Sequence, residues 1–292
     1  MKKLLVFILI LSLLLCAGCA NTATYDVVAT TLPVYEFTDF LCHGTDLTTG
    51  LLVTENVSCL HDYTLKVDQM RMIEGAEIVV ISGAGLEDFL EDVLHGKALI
   101  DASANVHIHE NEQQHGHEHH DDHGHDHEND PHIWLAPENA KVMADNICSE
   151  LSKQYPNHRD VFHQNLSTLQ NQLDALQHYG DVQLSDLRTR NLITFHDGFA
   201  YFAESFGLTI LEAIEEESGS EASAEEIIHL IQLVDTHALP AVFVEKSGSD
   251  ACAGIIQAET GAKIYTLDMA MAGNSYFDAM YHNIDTIKEA LG

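Results

Sequence analysis

Apolar and polar positions along the 292-residue chain follow two alternating rhythms. Short β-branched runs at 25–31, 51–54, 77–82 and 98–101 read as buried strands. Between them, 34–41, 65–74 and 86–94 read as helices; in the second, Leu65, Val67, Met70 and Ile73 fall on one helical face. Residues 137–155 predict a helix that stops at Pro156. Residues 159–186 predict a long one, with Leu166, Leu169, Leu173 and Leu176 spaced by three and four. A second alternating half follows, with strands at 191–195, 209–213, 241–245 and 263–267. Its helices fall at 198–206, 224–237, 250–261 and 275–290, and the acidic stretch 215–225 reads as a surface loop. The alternation predicts an α/β protein of mainly parallel sheets flanked by helices.

Residues 107–132 break the rhythm. Histidines stand at 107, 109, 115, 117, 119, 120, 123, 125, 127 and 132 among Asp, Glu and Gly, with almost nothing apolar to bury. Such a stretch is expected to be a mobile loop.

The first segment carries an address. Lys2 and Lys3 precede an apolar run at 4–15, too short to span a bilayer at ~1.5 Å per residue against ~30 Å of hydrocarbon. It reads as a secretory signal. The run Leu15-Cys16-Ala17-Gly18-Cys19 resembles a bacterial lipobox. That resemblance implies cleavage before Cys19, lipid on its thiol and anchorage at the outer face of the cell membrane; plain secretion is the alternative. The organisation expected is a signal peptide at 1–18, a tether at 19–24 and an N-terminal lobe at 25–158 containing the His-rich loop 107–129. A connecting helix at 159–188 and a C-terminal lobe at 189–292 complete it.

Composition narrows the function. The 46 acidic residues against 13 basic ones give a formal charge of −33, which disfavours a nucleic-acid ligand and suits a cation. An exported chain permits disulfides. Cys42 and Cys59 are the plausible pair, because they bracket one short segment, while Cys148 and Cys252 are expected as buried thiols. Connectivity stays open. No CxxC spacing points to a zinc site made of these cysteines.

Isolated histidines at strand ends are the better candidates. In open parallel sheets, ligands bind beyond the carboxyl ends of the strands. His61 follows the second strand through a loop, His196 directly follows 191–195, and Asp268 directly follows 263–267. His132 stands just before the helix at 137. Three imidazoles and a carboxylate fill a tetrahedron suited to Zn2+, with Asp62, Asp197 or a backbone carbonyl expected to orient the rings. Each residue taken singly also has a bland reading: a surface or core histidine, and for Asp268 a turn cap.

Several stretches resemble the zinc/manganese solute-binding proteins of ABC importers (cluster A-I), most of all the zinc-binding members. They are Leu60-His61-Asp62-Tyr63, Gly75-Ala76-Glu77-Ile78-Val79-Val80, Gly83-Ala84-Gly85-Leu86-Glu87, Asp130-Pro131-His132-Ile133-Trp134-Leu135, Phe195-His196-Asp197-Gly198-Phe199-Ala200-Tyr201-Phe202 and Val244-Glu245-Lys246-Ser247. The resemblance implies two lobes joined by one long helix, with metal in the cleft between them. It implies His61, His132, His196 and Asp268 at the four ligand positions, Asp268 or water completing the set. Manganese members tend to carry Glu where His196 stands, and nitrogen donors favour zinc over Mn2+. The His-rich loop, with His115, His117, His119, His120, His123, His125 and His127, is expected to bind metal more weakly than the cleft.

The function implied is capture of Zn2+ by a monomeric, lipid-anchored, non-enzymatic protein that hands it to an ABC-type membrane permease. Mn2+ delivery, a surface adhesin and a zinc hydrolase are the alternatives. Against the last, no HExxH motif occurs, and His117-Glu118-His119-His120 lies in the loop.

Overall fold

The computed structural model describes residues 24–55, 60, 63–109, 129–214, 222–246, 248–273 and 275–292. The expected signal peptide, Cys19, Cys59, His61 and the seven loop histidines from His115 to His127 lie outside these residues.

Two four-stranded parallel sheets form the frame. The first contains β1 (Val27–Ala29), β2 (Thr49–Leu51), β3 (Ile78–Ile81) and β4 (Ala98–Asp101), in the order β2-β1-β3-β4. The second contains β5 (Asn191–Phe195), β6 (Thr209–Ala213), β7 (Ala241–Glu245) and β8 (Lys263–Leu267), in the order β6-β5-β7-β8. Central strands β1 and β7 are buried throughout, which is why Val-Val-Ala and the Ala-Val-Phe-Val that precedes Glu245 read as continuous apolar runs.

Helices cover the sheets: α1 (Leu32–Cys42), α2 (Val67–Gly75), α3 (Glu91–Leu94), α4 (Pro137–Gln154), α5 (Arg159–Gln183), α6 (Ala200–Ser205), α7 (Ala224–His237), α8 (Ala251–Thr260) and α9 (Tyr276–Leu291). The expected helix at 86–94 is shorter than its pattern: a 3-10 turn at Asp88–Leu90 leads into the single turn α3. Its start is taken by glycines at φ +83° (Gly83) and +90° (Gly85) and by the Glu87 side chain, which turns back to accept from the Ser82 and Gly83 amides. The second strand begins two residues earlier than its pattern, although Leu52 and Val53 still donate to Ala29 and Thr30 carbonyls.

Helix α5 is the long connector, 25 residues with Phe162, Leu166, Leu169, Leu173, Leu176 and Gly180 buried. Gly180 is required by a close crossing, since a Cβ there would lie 2.1 Å from the Phe206 ring. One apolar core runs through both lobes. At the seam Phe37 of α1 meets Tyr276 of α9 edge-on at 5.1 Å, the Tyr276 hydroxyl donates to the Trp134 carbonyl at 2.9 Å, and the Trp134 indole donates to the Met269 carbonyl at 2.8 Å. Trp134 is fully buried, a core residue as expected. Cys42 and Cys148 are buried and form no disulfide among the described residues, which do not include Cys59, the partner expected for Cys42; burial pushes the Cys42 thiol up to about 12. Among the described residues no helix is long and apolar enough to cross a membrane.

Candidate metal centre

The seam leads directly to two of the four candidate ligands. His132 ends the chain segment before a 3-10 turn (Ile133–Leu135) whose three side chains are buried, and that turn opens onto α4. His196 leaves the carboxyl end of β5, and Gly198-Phe199 then turns the chain into α6 with Phe199, Tyr201 and Phe202 buried. The two imidazoles meet with their Nε2 atoms 3.4 Å apart and their planes 85° to each other. Gly198 makes this approach possible. A Cβ there would stand 2.9 Å from His132 Nδ1, 2.8 Å from His196 Cδ2 and 2.5 Å from Met269 Cε.

His132 is oriented from behind. Its Nδ1 lies 2.8 Å from Asp130 Oδ1, and its backbone amide donates to the same oxygen at 2.9 Å. A carboxylate only accepts, so the neutral ring carries its hydrogen on Nδ1 and turns the bare Nε2 toward His196. Asp130 is itself held across the seam, since the Tyr201 hydroxyl donates to its carbonyl at 3.1 Å. Its second oxygen, Oδ2, is buried without a hydrogen-bond partner among the described residues. An unpartnered buried carboxylate oxygen is costly unless a positive charge lies nearby. The sequence reading missed Asp130, naming Asp62 and Asp197 as the orienting groups. Its signal was its place two residues before His132, from which one carboxylate reaches both backbone and ring.

Asp268 is held just as firmly, but differently. Asn283, fully buried on α9, accepts from the Asp268 amide at 2.8 Å and donates to its carbonyl at 2.7 Å. Oδ1 accepts from the Ala270 amide at 2.9 Å, and Oδ2 accepts from the Lys246 ammonium at 2.9 Å. Thus His132 and His196 are brought together, Asp268 is engaged by Lys246, and His61 lies outside the described residues. Its neighbour Leu60 is buried in the shared core, and Tyr63 donates to Glu55 at 2.6 Å and to the Leu60 carbonyl through its amide at 2.9 Å. Among the described residues no three His, Cys, Asp or Glu side chains gather as a metal-holding group.

The geometry suits a shared cation. Two nitrogens at ~2.0–2.1 Å from one tetrahedral zinc are about 3.3 Å apart, and the observed separation is 3.4 Å. One N–H···N bond also fits that separation, with His196 as donor. What residues 27–290 match as a whole is the family model described as zinc-uptake complex component A, periplasmic.

The chain belongs to that family. Relatives include the zinc-binding protein AdcA of Streptococcus pyogenes, 28% identical over 90% of this chain and 55% of the relative. The zinc-binding lipoprotein AdcA of Streptococcus pneumoniae is 27% identical over 99% of this chain and 61% of the relative. This chain therefore spans little more than half the length of those two proteins. Among solved structures, the crystal structure of ZnuA aligns with a TM-score of 0.78 at 27% identity, covering 92% of this chain and 100% of that one. A zinc-bound ZnuA deletion mutant aligns at 0.76 and 26% identity, covering 92% and 98%. The two-lobed α/β architecture with a long connecting helix is thus the architecture of this zinc-uptake family.

Proposed function

We propose that this chain captures Zn2+ outside the cell in the cleft between its lobes and delivers it to the membrane permease of an ABC importer. The observation that carries the reading is the Nε2···Nε2 separation of 3.4 Å between His132 and His196, with a buried carboxylate behind the first ring. Two imidazoles preset at the spacing of a tetrahedral zinc lose little freedom when the ion arrives. Family membership and the zinc-binding names of the relatives support the same cargo.

His61 and Asp268 are the further ligands in this reading. The binding is one of cargo, not of a reacting group: the protein carries out no chemistry and releases the ion unchanged. His196 in place of an oxygen donor favours zinc over Mn2+. The lipid at Cys19, the weak chelation by the His-rich loop and the division into lobes at 25–158 and 189–292 belong to the same proposal, as does the monomeric state. A lipid anchor would hold the lobes at the outer face of the membrane, within reach of the permease.

Calorimetric titration with Zn2+ tests it. The wild-type chain is expected to bind one zinc tightly at the cleft. His132→Ala and His196→Ala are each expected to lose at least about a hundredfold in affinity, the loss of one of a few direct bonds to the ion. Wild-type affinity in both variants would overturn the assignment. His196→Glu is expected to move the Zn/Mn preference toward Mn2+, and an unchanged ratio would remove the argument from donor type.

A further inference from the structure

The pair between Lys246 and Asp268 stands apart from the rest of the site. Among the described residues, Asn283 holds the Asp268 backbone at both its amide and its carbonyl, and the Ala270 amide holds the carboxylate at Oδ1. Oδ1 accepts from the Ala270 amide, so Oδ2 is the oxygen whose partner is a side chain and not the backbone. That oxygen accepts from the Lys246 ammonium at 2.9 Å. Lys246 is itself positioned by the sheet, since it follows β7 directly and its amide donates to the Leu267 carbonyl at the end of β8 at 2.9 Å. Adjacent strand ends therefore present an ammonium and a carboxylate to each other. The chain has only 13 basic residues against 46 acidic ones, so an ammonium beside a candidate cation ligand is not explained by the general composition.

We propose that Lys246 sets the affinity of the site by acting as a tethered competitor for the Asp268 carboxylate. This rests on the cleft reading given above. An incoming zinc ion gains Asp268 Oδ2 only by displacing the ammonium, which swings out to solvent on a side chain that is already about half exposed (53%). An ammonium already paired with a carboxylate competes with any second cation for the same negative charge, so the pair lowers the affinity of Asp268 for zinc. The consequence is twofold. His132 and His196 can take the ion first, with Asp268 joining as Lys246 leaves. In the reverse direction, return of the ammonium to Asp268 loosens the ion and speeds its release. A protein that must surrender its cargo gains from such a built-in return path, where a site of four uncontested ligands would hold the ion too long. Lys246 is a positioning residue in this scheme and touches no metal.

The test measures Zn2+ affinity and release rate on the full chain, using competition with a chromogenic chelator, for the wild type, Lys246→Met, Lys246→Arg, Asp268→Asn and the double variant Lys246→Met/Asp268→Asn. Lys246→Met is expected to bind zinc about tenfold more tightly and to release it more slowly, while Lys246→Arg stays close to wild type. In the Asp268→Asn background the effect of Lys246→Met is expected to vanish. Equal or weaker binding by Lys246→Met would overturn the proposal, and so would tightening that persists without the Asp268 carboxylate, which would reflect charge in general. His132→Ala and His196→Ala, measured alongside, keep the two ideas apart. If they lose zinc while Lys246→Met changes nothing, only the competitor fails; if they keep zinc, the cleft reading itself fails.

Discussion

The two sheets share one strand order, yet the ends of their strands are furnished in opposite ways. At the carboxyl end of the first sheet the polar groups close on themselves. Glu87 is buried and accepts from the Thr30 hydroxyl at 2.5 Å, the Ser82 amide at 2.8 Å and the Gly83 amide at 3.0 Å, while Thr31 and Ser82 share a hydrogen bond at 2.8 Å. At the same end of the second sheet, His196 after β5 reaches across the seam to His132, while Asp268 after β8 is held at its backbone by Asn283 of α9 and accepts at Oδ2 from Lys246 at the end of β7. Among the described residues, the same topology thus gives a polar network closed within its own lobe at one set of strand ends and, at the other, a histidine that reaches the opposite lobe. What a strand end becomes is decided by the side chains placed there, not by the sheet.

The largest effect expected from this contrast is at Glu87. Replacing it with Ala strands three buried neutral donors, and each buried donor left unsatisfied costs about 1–3 kcal/mol. Chemical denaturation reads the loss, while zinc affinity stays within error if the network is structural only; a collapse of zinc affinity in protein that remains folded would show that the two strand ends are one site. The pH profile sharpens this. Burial outweighs the three donors and pushes the Glu87 carboxyl up to about 7 from 4.5. The folded value lies above the unfolded one, so the fold is favoured when the carboxyl is protonated. Its contribution is intact below about 4.5, declines as the pH rises to about 7 and is flat above, a change of roughly 3 kcal/mol. Subtracting the Glu87→Gln profile isolates that step from the histidines. A difference that does not change with pH between 5 and 7.5 would refute the burial argument.

Asp130 is the opposite test. Its carboxylate also supports the fold through the His132 amide, but one of its oxygens is unpartnered, so truncation removes a costly group along with a useful one. Asp130→Ala is expected to leave stability within about 1 kcal/mol. Zinc affinity is expected to fall about 10–100-fold, the usual effect of removing the group behind a metal-bound imidazole. Calorimetry and unfolding on the same protein separate the two. A variant that unfolds easily yet binds zinc normally would reverse the roles assigned to the two carboxylates.

These roles were unequally legible in the sequence. The alternation of strands and helices was readable almost element by element, because β1, β3, β5 and β7 are largely buried and so mostly apolar, with few polar positions such as Thr194 and Glu245. The α5 stripe of Leu166, Leu169, Leu173 and Leu176 was readable because one face of a long helix must enter the core. Two-residue errors at β2 and the broken helix at 86–94 arose where side chains and glycines, which carry no periodicity, set the boundary. At the site, strand ends pointed to His196 and Asp268, and the structure brings His196 to His132. What the sequence hid was pairing. Lys246 and Asp268 are 22 residues apart and meet only because β7 and β8 are neighbours in register, Glu245 beside Leu267. The grip of Asn283 on Asp268 is hidden for the same reason. Asp130 was visible in principle, but an acidic residue at the edge of an acidic loop gives no sign of being buried.

The smallest effect expected tests how Asp130 is held. Tyr201, on α6 just after the His196 turn, donates to the Asp130 carbonyl at 3.1 Å and accepts from the His109 amide at 2.8 Å, while its ring stacks on His109 at 4.2 Å. Burial pushes the hydroxyl up to about 12, so it remains a donor across the physiological range. Tyr201→Phe keeps the ring and deletes the donor. The expected loss is about 1 kcal/mol in stability, the net worth of an ordinary hydrogen bond. Zinc affinity should change less than about threefold, well below 1 kcal/mol, because the ring of His132 is aimed by the carboxylate of Asp130 and not by its carbonyl. A loss as large as that of Asp130→Ala would mean that the second lobe, through Tyr201, aims the imidazole of the first.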